Sequence, residues 1–203
     1  MRLEPIERPR GLRLRLAYWG TRRGLGKVMT PLKVVNARVP ESLAMTMSMS
    51  KFLTKGVTLD RKLRILLTDL VSQINDCSFC EDLDRAIALR ENLGLEEKLE
   101  ALKEYRTSPL FSERERAALA FVEEVTRSRT VSDETFANLR RHFSAREVVE
   151  ITLVNAVQNF YNLTNRPLGI GSDGFCAIVA ARGGKARPPE SVRLHGFTGG
   201  GGS

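Results

Sequence analysis

Histidine is nearly absent: the chain of 203 residues has two, His142 and His195. This removes the usual general base of the neutral pH range. Cysteine is scarce too. Three residues, Cys77, Cys80 and Cys176, are too few, and odd in number, for a disulfide scaffold. With no second C-x-x-C and scattered histidines, the four ligands of a zinc site cannot be assembled from the motif. No apolar run approaches the ~18–20 residues of a membrane helix. No short apolar block follows a basic start, so no secretory leader is expected. Strand-like alternation is also missing, which points to an all-α chain. A glycine-rich stretch, Gly169-Ile170-Gly171-Ser172-Asp173-Gly174, lacks the preceding strand and the Lys-Ser/Thr ending of a phosphate loop and reads as a turn.

What is present begins with charge. The net charge of +8 is unevenly placed. Residues 1–39 form a basic N-terminal arm, with ten arginines and lysines against Glu4 and Glu7. Residues 182–203 form a second basic, flexible tail ending Gly-Gly-Gly-Gly-Ser, which reads as a linker and is set aside. The body, 40–181, is close to neutral. The arm could meet nucleic acid, an anionic membrane surface or an acidic neighbour, but the expected state is a solvated arm on a protein surface. Leu, Trp and Tyr between the arginines of Gly11 to Met29 give that stretch some interfacial character.

The body reads as about seven helices. Pro40-Glu41-Ser42 opens one that Gly56 closes. Thr58 or Asp60 caps the next, where Leu63, Leu66, Leu67, Leu70, Val71 and Ile74 form an apolar stripe. Asn75-Asp76 breaks it, and Asp76 is expected to cap a cysteine-bearing helix that runs to about Asn92. A short helix from Leu95 to Tyr105 follows. Ser112-Glu113-Arg114-Glu115 and Ser144-Ala145-Arg146-Glu147 are capping boxes. Ser132 or Asp133 starts a helix ending near His142. A short segment from Phe175 to Ala181 closes the body.

The chemistry concentrates at Cys77-Ser78-Phe79-Cys80. A helix start offers free backbone N–H groups and the positive end of the dipole, which favour the thiolate, the nucleophilic form. Such a pair can cycle between dithiol and disulfide in a reducing cytoplasm. The competing reading, two cysteines filling a core, is disfavoured by the polar neighbours Asn75, Asp76, Glu81, Asp82 and Asp84. Cys176 reads as a buried small apolar residue. Asp84 shares a face with the cysteines, and Asp69 lies on a line leading to them along the preceding helix. Asn155, Asn159, Asn162 and Asn165 share one side of the last long helix. They read either as a cavity lining, with Tyr161 as a donor, or, preferably, as a polar seam at a helix or subunit contact.

Three blocks carry a resemblance. Leu63 to Leu67 with Gln73 to Asp84, then Ser108 to Ala120, then Asn155 to Asn162, are similar to the carboxymuconolactone decarboxylase and alkylhydroperoxidase-D-like superfamily, over roughly residues 40–180. The resemblance implies an all-helical unit that forms homo-oligomers, often trimers or multiples of them. In peroxidase members it implies peroxide reduction by the cysteine pair without metal or organic cofactor, the oxidised pair being renewed by a thiol reductant. Cys80 then matches the attacking cysteine and Cys77 the resolving one. The family's relay glutamate, twelve before the first cysteine, is Ile65 here, and its histidine, four after the second, is Asp84. Asp76 stands where glycine is common. Three readings stay open. Asp84 and Asp69 rebuild the relay, or the pair exchanges disulfides without using peroxide, or the scaffold has lapsed into a binding module. Decarboxylase members lack the cysteine pair, which argues against lactone decarboxylation.

Overall fold

The structure is a computed structural model that describes residues 1–183. The expectations for the tail beyond residue 183 lie outside the described residues. Among the described residues nine α-helices follow one another: α1 (Leu12–Leu25), α2 (Ser42–Lys51), α3 (Arg61–Ile74), α4 (Ser78–Arg90), α5 (Glu96–Glu100), α6 (Glu113–Ser128), α7 (Asp133–His142), α8 (Ala145–Asn165) and α9 (Phe175–Ala181). No strand occurs among the described residues. The expected all-α architecture is present, with the Phe175–Ala181 segment helical and α1 added at the front.

Local chemistry sets the boundaries. Asp60 caps α3 by accepting from the Lys62 and Leu63 backbone N–H groups at 2.9 and 3.2 Å. Both capping boxes form at α6 and α8, with Ser112 and Ser144 bonded reciprocally to Glu115 and Glu147. Each such cap contributes about 1 kcal/mol. The Leu95–Tyr105 stretch is one α-turn, α5, followed by a tighter 3₁₀ turn over Leu102–Glu104.

The main core lies between α3, α6 and α8, with Leu66, Leu67, Val71, Ala118, Leu119, Val122, Ile151 and Val154 essentially fully buried. An apolar stripe along one face of α3 is only part of the picture. Every residue from Leu63 to Ser72 is buried, including Arg64, Thr68, Asp69 and Ser72. Helix α3 is therefore central, with its polar side inside the protein and obliged to find partners there.

A second apolar cluster joins α4, α9 and the N-terminal segment through Leu25, Val34, Cys77, Phe79, Cys80, Ala86, Ile170, Phe175 and Val179. Much of the basic segment 1–39 is thus bound into the fold. Leu14, Tyr18 and Leu25 of α1 are buried, as are Leu32 and Val34 after it. Asp173 holds it by accepting from the Thr30 backbone N–H and hydroxyl, both at 2.7 Å, and by pairing with Lys27 at 2.8 Å. The arginines of α1 hide this helix from a reading that seeks one apolar stripe on a polar background.

Candidate functional site

The cysteine pair sits where α3 hands over to α4. Asp76 adopts a left-handed backbone conformation, φ 51°. This is a conformation that glycine takes freely and that costs other residues strain. Asp76 does not cap α4 as expected. Its turned backbone leaves the carboxylate largely exposed, 3.5 Å from Arg166. Cys77 occupies the cap position without a side-chain cap bond, and its N–H donates to the Ser72 carbonyl at 2.9 Å. Cys80 falls in the first turn, with its N–H on the Cys77 carbonyl at 2.9 Å. The two cysteines are joined as a disulfide, Cα atoms 5.4 Å apart.

The sulfurs are deeply placed: Cys77 is 1% exposed and Cys80 4%. Their surroundings are more apolar than the neighbouring carboxylates led us to expect. Phe79 and Phe175 meet edge to face with centroids 6.2 Å apart, and Val179, Ile170 and Val34 complete the enclosure. The acidic neighbours turn elsewhere. Asp82 caps α9, accepting from the Phe175 and Cys176 backbone N–H groups at 2.8 and 2.9 Å. Asn75 reaches α8, donating to Asn159 and Asn162 at 2.9 and 3.0 Å. The third cysteine, Cys176, is only half-buried and free; burial and then Asp82 push its thiol up.

One polar group does reach a sulfur. The buried Asn165 amide nitrogen lies 3.6 Å from the Cys80 sulfur, in position to donate. The asparagine series otherwise forms a seam at the α3–α8 contact. Gln158 and Asn162 donate to the Ser72 hydroxyl at 2.7 and 3.3 Å, and Asn159 donates to Asn155 at 2.9 Å. Tyr161 packs against the cluster that holds the cysteines, and its hydroxyl donates to the Thr46 carbonyl at 3.2 Å. The sequence placed Asn165 in the series but gave no sign that it ends on Cys80. That depends on the angle at which α8 crosses α4.

The two candidate relay carboxyls lie at the α3–α4 contact. Asp69 is fully buried, accepts from Gln73 at 2.7 Å and faces the Arg85 guanidinium at 3.5 Å. Arg85 was not anticipated. Asp84 is buried with one carboxyl oxygen that has no hydrogen-bond partner. Burial, reinforced by Asp69, holds the Asp84 carboxyl well above the ordinary carboxylate range. Burial raises Asp69 as well, and Arg85 pulls it partly back. Glu81 is raised by burial and then by Asp69. Asp84 stands one turn after Cys80 on α4, yet neither carboxyl hydrogen-bonds a sulfur. Ile65 is buried in the main core, so no carboxylate replaces it at its own position.

Residues 40–124 match the model of the carboxymuconolactone decarboxylase family. The uncharacterized protein YnjA of Escherichia coli (strain K12) is 32% identical over 171 residues, 83% of this chain and 93% of YnjA. The chain belongs to the carboxymuconolactone decarboxylase family. Among solved structures, an uncharacterized peroxidase-related protein from Silicibacter sp. TM1040 superposes with a TM-score of 0.72 at 26% identity, covering 83% of this chain and 89% of that one. A protein of unknown function from Agrobacterium tumefaciens, suggested to be the antioxidant defence protein AhpD, does so with a TM-score of 0.63 at 28% identity, covering 68% and 96%. The fold is thus that of AhpD-like proteins, and the cysteine pair lies within the matched family segment.

Proposed function

We propose that this protein is a thiol-dependent oxidoreductase that reduces a peroxide through Cys80 and Cys77. The observation that carries this reading is the bridged pair at the start of α4, with an amide donor on one sulfur. The Cys80 thiolate attacks the peroxide O–O bond, giving the Cys80 sulfenic acid and an alkoxide that takes up a proton. The Cys77 thiol then attacks that sulfur, forming the disulfide and releasing water. An external dithiol reduces the disulfide by exchange and leaves as its own disulfide.

The helix start and the Asn165 amide both favour the thiolate on Cys80. Asp84, whose carboxyl burial and then Asp69 hold well above the ordinary carboxylate range, is the group to which this reading assigns delivery of the proton to the alkoxide. Asp69 acts through it by holding that carboxyl high. The departure from the family's histidine exchanges a base of neutral pH for an acid. Proton donation to the leaving oxygen is therefore expected to persist better than activation of the thiol. Renewal by a thiol reductant suits a reducing compartment such as the cytoplasm.

A homo-oligomer, a trimer or a multiple of it, also belongs to this reading. Val149, Leu153 and Leu163 are exposed on α8, and they recur at helical spacing. A shared apolar face of this kind suits a second copy of the chain.

A second reading is favoured by two observations. The sulfurs are enclosed, and the relay positions hold Ile65 and Asp84. On that reading the bridge is structural and the protein binds rather than catalyses. Stoichiometric peroxide added to the reduced chain separates the two. Loss of both thiols as an intramolecular disulfide, with Cys77→Ser halting at the Cys80 sulfenic acid, supports the oxidoreductase. Thiols that survive excess peroxide overturn it.

A further inference from the structure

Helix α1 has two apolar faces. One, Leu14, Tyr18 and Leu25, is buried against the protein. The other, Leu12, Leu16 and Trp19, recurs at spacings of four and three on the outward side and is 72%, 55% and 59% exposed. A large exposed apolar row needs an explanation that scattered surface leucines do not.

Its borders are arginines. At 100° per residue, Arg15 and Arg22 flank the row on one side and Arg13 on the other. Arg23 extends its line and lies over the Trp19 ring at 5.8 Å. All four are exposed, as are Arg8 and Arg10 just before the helix. None of the six makes an ion pair among the described residues, whereas Lys27 and Lys33 nearby do. No acidic residue occurs between Leu12 and Leu25.

These facts discriminate between occupants. A second copy laid on this face would bring two unrelieved rows of arginine together, which like-charge repulsion opposes. A nucleic acid would satisfy the arginines but leave Leu12 and Leu16 in water. An anionic bilayer serves both: the apolar row enters the headgroup–acyl boundary while the arginines meet phosphates. No described helix is long and apolar enough to cross a membrane, so the contact is peripheral. We infer that the outer face of α1 docks this protein on anionic lipid surfaces, with Leu12, Leu16 and Trp19 inserted and Arg13, Arg15, Arg22 and Arg23 at the headgroups. This inference stands apart from the cysteine chemistry.

Trp19 is the only tryptophan in the chain and sits in the row itself. Its emission therefore reports docking directly. The full-length protein is titrated with phosphatidylcholine vesicles with and without phosphatidylglycerol, and bound protein is also measured by co-sedimentation. Trp19 emission should shift to shorter wavelength with the anionic vesicles only, and the shift should fade as salt rises. Each basic residue near such a surface is worth about a fivefold factor in partitioning. Arg15→Glu with Arg22→Glu should therefore weaken binding at least tenfold at unchanged helical content. Leu16→Ser should reduce both the shift and the sedimented fraction.

No shift and no sedimentation with anionic vesicles at low salt would overturn the inference. So would equal binding to uncharged vesicles, or binding to a duplex oligonucleotide without binding to vesicles. Trp19 emission already at short wavelength before any vesicle is added would mean that another copy covers the face, and would overturn it too.

Discussion

Two neighbourhoods of α4 bury opposite kinds of side chain. Toward α9 and the N-terminal segment it presents Phe79, Cys80 and Ala86 to an apolar cluster closed by Phe175 and Val179. At its contact with α3 it buries Asp84 against Asp69 and leaves one of its oxygens without a partner. The first environment is stabilised by desolvation. The second costs free energy unless the proton stays on. A buried acid one helical turn from a buried disulfide is an arrangement that the proposed chemistry would use. On the proposed reading, one helix would serve sulfur chemistry and proton storage without a hydrogen bond between the carboxyl and a sulfur, where a carboxylate's charge would suppress the thiolate.

The largest expected effect breaks the apolar side. Phe175→Ala should cost about 3–5 kcal/mol of stability and make the disulfide reducible much faster, because a fully buried ring of the apolar cluster that holds the sulfurs is lost. Leu119→Ala, in the main core, should cost about 2–5 kcal/mol and leave the reduction rate nearly unchanged. Chemical denaturation together with the rate of reduction by a small dithiol reads both. Equal reduction rates in the two variants would mean that α9 does not guard the sulfurs.

The carboxyl side is sharpened by pH. The folded-state Asp84 carboxyl is raised above its unfolded value. The native state therefore holds a proton that the unfolded chain releases. This costs nothing below the unfolded value near 3.9. Stability falls as pH rises from there through the folded value. Asp84→Asn should remove that fall, giving a variant more stable than the parent at pH 8 and indistinguishable from it near pH 3. Each unit of elevation corresponds to about 1.4 kcal/mol, so the pH dependence of the difference measures the elevation. A parallel pair of stability curves would contradict the buried acid.

A smaller effect tests the strap between the two sides. Asp82→Ala removes the acceptor for the first N–H groups of α9 and should cost about 1–2 kcal/mol, with a modest rise in the disulfide reduction rate. The smallest concerns the turn. Asp76→Gly relieves a left-handed backbone and gives up only an exposed ion pair. A gain of roughly 0.5–1 kcal/mol is expected, measured as a rise in Tm.

Much of the fold was legible because its signals are local. Ser112 and Ser144 announce their helices by capping boxes, and the Leu63–Ile74 stripe announces the core. The cysteine pair was legible for the same reason: a C-x-x-C at a helix start is a short-range pattern. The enclosure of the sulfurs was not. Asn75, Asp76 and Asp82 look polar in sequence, but each turns to a different partner, and Asp84 is buried at the α3–α4 contact; only the crossings of α4 with α3, α8 and α9 decide this. Helix α1 was hidden because both of its apolar rows are interrupted by arginine. The sequence places Asp69 on a line leading to the cysteines and offers it, with Asp84, as a carboxyl of a rebuilt relay. The structure adds that α3 is buried from Leu63 to Ser72, so that among the described residues this carboxyl has Arg85 and Gln73 as its partners.

The central claim is that Cys80, although enclosed, carries the reactive thiolate. The most direct measurement is the rate of Cys80 alkylation against pH in the reduced protein, with Asn165→Ala alongside. The account predicts a thiol titrating below the free value of about 8.5, moved upward when the Asn165 amide is removed. A Cys80 that titrates at or above the free value and ignores Asn165 would contradict it and leave the pair as a structural bridge.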